Sequence, residues 1–162
     1  MENKKRVILA ITGASGAIYG VRLLETLLSL GIEVHLILSQ MGAQVLAEET
    51  QYQPKDVLKK AFRHYPPDAL DAPIASGSFP VDGMLVVPCS IKTLSGIANS
   101  YAENLVQRAA DVCLKEGRPL LLGVRETPLH AGHLRLMSQA AQAGAIIFPP
   151  IPTFYNKPQT IE

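Results

Sequence analysis

Arg6-Val-Ile-Leu-Ala-Ile-Thr12 runs without a break into Gly13-Ala14-Ser15-Gly16-Ala17, and an amphipathic stretch follows. A short apolar run with β-branched residues reads as a buried parallel strand, and the small residues behind it let the backbone turn sharply and open a helix. Val21, Leu24, Leu27 and Leu28 recur at helical spacing on one face, Arg22 and Glu25 lie off it, and Gly31 marks a stop. The unpaired N–H groups of such a helix start favour an anion, so the turn reads as a phosphate cradle or simply as a tight turn. Strand, glycine turn and helix make half of a doubly wound α/β fold.

Outward from this unit the pattern repeats. A second strand runs from Glu33 to Leu38 and ends at Ser39-Gln40, with helical stretches around Gly42 to Thr50 and Lys55 to Phe62. His64 to Pro80, rich in Pro and Gly, reads as a long surface loop with room for a short strand. Gly83 to Val87 is a strand stopped at Pro88-Cys89-Ser90, and one helical region spans Lys92 to Lys115. A strand at Pro119 to Val124 precedes a helix from Pro128 to Gln142, for which Thr127 is the expected N-cap and Gly144 the stop, and Ala145 to Phe148 is a last strand. Pro149 to Pro158 should be extended, and Thr160-Ile161-Glu162 reads as the opening of a further helix. The pattern predicts one Rossmann-like (flavodoxin-like) doubly wound domain over residues 1–162, with a mostly parallel central sheet.

Composition narrows the partners. At 162 residues and 48% hydrophobic the chain can bury one sizeable core. With 15 Lys+Arg against 14 Asp+Glu it has no broad field for nucleic acid or an acidic membrane, so an anion site must be local. Lys4-Lys5-Arg6 before Val7 to Ile11 mimics the start of a signal peptide, but the apolar part breaks at Gly13, and no apolar run reaches the length of about 18 residues that a spanning helix needs. Cys89 and Cys113 have no metal-like spacing and read as reduced thiols of a cytoplasmic protein.

In an open α/β sheet ligands bind beyond the carboxyl ends of the strands, and here each end supplies polar groups: Gly13 to Ser15, Ser39, Ser90 to Thr93, and Arg125-Glu126. Hydroxyls and N–H groups suit a phosphate or the polar edge of a flavin. A nicotinamide dehydrogenase fits less well, because Ser39 stands where an acidic residue would hold the ribose and none of the five tyrosines has a lysine four residues on. Arg108, Lys115 and Arg118 bracket a helix end and are either solvated helix charges or a basic phosphate pocket. Glu126 is either an ion-pair partner of Arg125 or a general acid or base. His130 and His133 share a helix face but have no third ligand, Cys89 is better read as small-residue packing than as a nucleophile, and Asp68 with Asp71 makes no convincing magnesium site.

Together, Thr12 to Gly20, Ser76 to Pro80, Pro88 to Thr93, Arg108 to Val112, Leu114 to Glu116, Arg125 to Leu129 and Phe154-Tyr155 resemble the flavin prenyltransferase family, once described as an aromatic-acid decarboxylase subunit. The resemblance implies a flavoprotein, usually a homododecamer, that joins a dimethylallyl group from its monophosphate to N5 and C6 of reduced FMN for a partner decarboxylase acting on unsaturated or aromatic acids, including the ubiquinone precursor. By motif, Gly13, Ala14, Ser15, Ser39, Ser90, Ile91, Lys92, Thr93 and Arg125 are expected to hold FMN. Tyr155, Arg108 and Lys115 are expected around the prenyl phosphate, with Ser15, Glu126 and Lys115 in the chemistry and no metal required. The family continues past the position of Glu162 into a helix with another basic residue, which this sequence lacks. A diphosphate donor, a non-catalytic FMN or prenyl-FMN module, and a flavin-dependent cysteine decarboxylase are the alternatives. The last is disfavoured because Pro88 to Thr93 stands where its Met-Asn motif would be.

Overall fold

A computed structural model describes residues 4–160. The central sheet has six strands, all parallel: β1 Arg6–Ile11, β2 Glu33–Leu38, β3 Arg63–Tyr65, β4 Gly83–Cys89, β5 Leu120–Val124 and β6 Ile146–Ile147, in the order β3-β2-β1-β4-β5-β6. The order reverses between β1 and β4, which places the crevice of such a sheet between their carboxyl ends. Six α-helices are found among the described residues: α1 Ala17–Ser29, α2 Gln40–Glu49, α3 Pro54–Lys60, α4 Ile91–Ala98, α5 Leu105–Lys115 and α6 Ala131–Gln142.

Side chains alternate across the strands and so supply two cores. Leu9, Ile11, Leu36 and Leu38 pack with Val21 and Leu24 of α1, Leu46 of α2 and Val57 of α3. Ile8, Ala10, Met84, Val86, Leu120 and Leu122 pack on the other face with α4, α5 and Ala140 of α6.

The structure departs from the sequence reading in four places. The helical region from Lys92 to Lys115 is two helices, because Asn99 closes α4, Ser100 takes a φ of 52°, and Asn104 caps α5 by accepting Gln107 N–H at 3.0 Å. The N-cap of α6 is His130, not Thr127: its Nδ1 accepts Gly132 N–H at 2.9 Å, leaving Thr127 to Leu129 outside the helix. The His64 to Pro80 segment is less a surface loop than a packed strap. It contributes β3 and a 3-10 turn at Pro73–Ala75, and Ile74 and Ala75 are buried beside α5. Thr160 is not helical, and the remainder of the expected final helix opening lies outside the described residues.

At the amino edge of the sheet the strap is anchored by a buried polar group. His35 is 3% exposed, with Nδ1 2.8 Å from Tyr65 OH and Nε2 2.8 Å from Glu33 Oε1, while Arg6 also bonds Glu33. Burial pushes the His35 pKa down despite Glu33, so the ring is neutral, donating from Nε2 and accepting at Nδ1. The Arg6 hydrogen bond holds Glu33 below the usual carboxylate range. Phe79 of the strap packs edge-on against His35 at 5.2 Å.

Candidate functional site

Helices α2 and α4 start immediately after β2 and β4, so the N–H groups of their first turns face the crevice, while α1 follows β1 after the glycine turn. The crevice has a volume of 400 Å³ and is lined by Thr12, Gly13, Ser39, Ser90, Lys92 and Thr93 among others. Ser39 caps α2 by accepting Gly42 N–H at 2.9 Å, which leaves its hydroxyl proton to donate. Ser90 caps α4, accepting Thr93 N–H at 3.2 Å and donating to Thr93 Oγ1 at 3.1 Å. A Cβ on Gly13 would come within 2.5 Å of Met41 Cβ, so the glycine turn lets the start of α2 close in on it. Hydroxyl donors, helix starts and the exposed Lys92 ammonium fit the phosphate-bearing flavin that the sequence implies. Ile91, by contrast, begins α4 half-buried against its core and is absent from the crevice lining.

The two strand ends that frame the crevice are tied by Thr12. Its hydroxyl donates to Pro88 O at 2.7 Å and accepts Ser90 N–H at 2.9 Å, while its own N–H reaches Pro88 O at 3.2 Å.

The anion at the start of α1 belongs to the chain itself. Gly16 N–H donates to Glu49 Oε2 at 2.8 Å, and the Ser15 hydroxyl, the Ala17 N–H and the Arg125 charge stabilise that carboxylate. Burial alone would raise the Glu49 pKa, but the Ser15, Gly16 and Ala17 hydrogen bonds and the Arg125 charge outweigh it and hold the group below the ordinary range. In this structure the N–H groups of the α1 turn face Glu49, while the hydroxyl-capped starts of α2 and α4 line the crevice. Glu49 was missed by sequence reasoning because it sits in the last turn of α2, more than 30 residues from Ser15, in no local motif.

Ser15 and Arg125 thus share one carboxylate, with Ala14 buried behind them. Glu126 does not pair with Arg125; its Oε1 accepts Thr127 N–H at 3.0 Å, and the side chain is exposed. Arg108 lies one turn along α5 from the crevice-lining Asn104, with its N–H on Asn104 O at 2.9 Å, and Lys115 lies at the far end of that helix. Arg108 Nε donates to Ala75 O of the strap at 3.1 Å, with Asp111 Oδ2 3.4 Å from Nη1. Lys115 ends α5 beside the start of β5, paired to Glu116 next to Gly77. The seven residues of β4, at about 3.3 Å each, put about 20 Å between that edge and the crevice. Tyr155 is 82% exposed, in a tail whose Pro150 to Pro152 segment lies against Tyr19 of α1.

Cys89, fully buried at the end of β4, has its thiol pushed up to about 12 by burial, which suits packing and not nucleophilic attack. The His130 and His133 rings stack at 3.6 Å, and no cluster of three or more His, Cys, Asp or Glu among the described residues is placed to hold a metal ion. No helix among them is long and apolar enough to cross a membrane.

The sequence profile described as Flavoprotein matches residues 1–151. Flavin prenyltransferase UbiX of Salmonella typhimurium is 57% identical over 161 residues, covering 98% of this chain and 84% of that protein. The crystal structure of AnUbiX (PadA1) in complex with FMN and dimethylallyl pyrophosphate superposes with a TM-score of 0.97 at 45% identity, covering 98% of this chain and 85% of that one. A dodecameric FMN-dependent Ubix-like decarboxylase from Escherichia coli O157:H7 gives a TM-score of 0.93 at 46% identity, covering 96% and 85%. Such identity over almost the whole chain, on a crevice that fits a phosphate-bearing flavin, means that the chain belongs to the flavin prenyltransferase family.

Proposed function

We propose that the protein transfers a dimethylallyl group from its phosphate ester to N5 and C6 of reduced FMN, making prenylated FMN for a partner decarboxylase. The observation that carries this reading is 57% identity to a flavin prenyltransferase across 98% of the chain. Reduced FMN supplies the electron-rich ring atoms that take up the allyl group. Ser39, Ser90 and Thr93 hydroxyls, with Lys92, bind its phosphate and side chain. Gly13 and Ala14 would leave room for the flavin ring, and Arg125 would pair with its polar edge. Ser15, whose hydroxyl stabilises the Glu49 carboxylate, holds or passes a proton at its Oγ, with Glu126 as a second proton handler. Arg108, Lys115 and Tyr155 neutralise and orient the leaving phosphate, so basic side chains do the work that a metal does elsewhere.

About 20 Å from the crevice of its own chain, Lys115 serves this role in a neighbouring subunit's site, whereas Arg108 lies one turn of α5 from the crevice-lining Asn104. A homododecamer, the state named for the E. coli relative, provides such neighbours. We place the protein in the cytoplasm, a reading supported by two buried free thiols.

A second reading, flavin binding without turnover, is favoured by that same distance and by the exposure of Tyr155. One anaerobic assay separates the two. Protein, FMN, a reductant and a chelator are mixed with dimethylallyl monophosphate, or in parallel with the diphosphate, and the extracted flavin is weighed by mass spectrometry. A flavin heavier by one dimethylallyl unit supports transfer, and the productive arm names the donor. Unmodified flavin retained by the protein supports the binding module.

A further inference from the structure

Among the described residues the sulfur atoms are shielded, with one exception. Met84 is buried, Met137 packs half-buried against the core, and Cys89 and Cys113 are buried as free thiols. Burial pushes those thiols up to about 12 and about 11, so neither offers the thiolate that reacts with oxidants. Met41 differs. It is 55% exposed, the second residue of α2, and it lines the crevice. Its Cβ stands 2.5 Å from where a Cβ on Gly13 would be, so the thioether is rooted in the crevice wall beside the glycine turn.

What this thioether meets follows from the reading that the crevice holds reduced FMN, on which the inference rests. Dioxygen entering the crevice takes two electrons and two protons from the reduced flavin and becomes hydrogen peroxide, leaving oxidised FMN. A molecule released inside 400 Å³ starts at molar concentration, so it meets the crevice wall before it meets bulk solvent. Met41 is the one sulfur on that wall among the described residues. Its lone pair attacks one peroxide oxygen and the O–O bond breaks. That oxygen stays on sulfur as the sulfoxide, and the other takes up the second proton and leaves as water. We propose that Met41 is a redox modification site, oxidised to the sulfoxide by peroxide formed in the crevice from dioxygen and reduced FMN, and that the sulfoxide weakens flavin binding. The weakening follows from the packing, because a larger and polar group then stands where the start of α2 already abuts Gly13.

The test uses FMN-loaded protein. The flavin is reduced anaerobically by light and a tertiary amine, air is admitted, and catalase in the buffer destroys peroxide that escapes the crevice. Peptide masses then report the oxygen gained at Met41 and at Met137, and fluorescence titration reports FMN affinity before and after. Expected are Met41 sulfoxide at least about tenfold above Met137 sulfoxide in spite of catalase, and FMN bound about tenfold more weakly. Affinity should return on treatment with the pair of methionine sulfoxide reductases that act on the two sulfur epimers, and Met41→Leu should keep its affinity through the same cycle. The wild-type peptide masses stand whatever the fold of the variant. Unmodified Met41, equal oxidation of Met137, oxidation that catalase abolishes, or a Met41 sulfoxide with unchanged FMN affinity overturns the proposal and leaves the flavin reading intact. A chain that binds no FMN at the outset overturns both.

Discussion

Ser15 shows how much a residue's neighbours decide. In sequence it is one more small polar residue in a glycine turn; in the fold its hydroxyl stabilises Glu49, a carboxylate kept ionised also by backbone N–H groups and the Arg125 charge. Glu49→Gln keeps the shape but removes the charge that makes Ser15 Oγ a proton acceptor. FMN should still copurify, while the single-turnover rate of prenyl transfer falls about 100-fold, the lower end of what a positioned acid or base contributes. His35 leads to a prediction about pH. Its pKa is lower in the folded chain than in the unfolded one, so the stability it contributes is present above about 6.5 and is lost as pH falls below that value, when only the unfolded chain takes up the proton. Glu33, also depressed, adds loss in the same direction below about 4.5. Urea midpoints between pH 7 and 5 should fall for the wild type and fall less steeply for His35→Gln.

Among the elements, the start of α6 is held by an unusual cap. His130→Ala should cost about 1 kcal/mol in urea unfolding, and His130→Asp should restore most of it, because a carboxylate reaches the same N–H groups. The strands were legible from apolar runs, but this cap was not, since Thr127-Pro128 offers the better local signal, whereas the helix begins at Ala131 behind the His130 ring. Asn99 and Asn104, by contrast, carry ordinary cap signals that split the Lys92 to Lys115 region, and the apolar periodicity on either side hid them. The site was legible to a similar depth. Ser39 and Ser90 stand at strand ends that any α/β reading marks, whereas Glu49 comes from the far end of a helix and meets Ser15 only through the fold.

For the whole molecule, the roles proposed for Ser15 and Lys115, at opposite ends of one chain's sheet, predict that activity is a property of pairs of subunits. Ser15→Ala and Lys115→Ala proteins should each be inactive alone. Coexpressed in equal amounts and assembled at random, they should recover about a quarter of wild-type sites, since a working site then draws one sound residue from each parent. Recovery near zero would mean that both residues act within one chain. The sheet halves meet at β1 and β4, whose regular pairing ends at Ala10 and Val86, and past that point Thr12 ties them by its hydroxyl and its N–H. Thr12→Val keeps the shape and cuts the hydroxyl's two bonds, so the mouth of the crevice should breathe more widely. Stopped-flow release of FMN should then be faster, with association little changed. How long the flavin stays would be governed by a hydroxyl whose own bonds are all made to the protein.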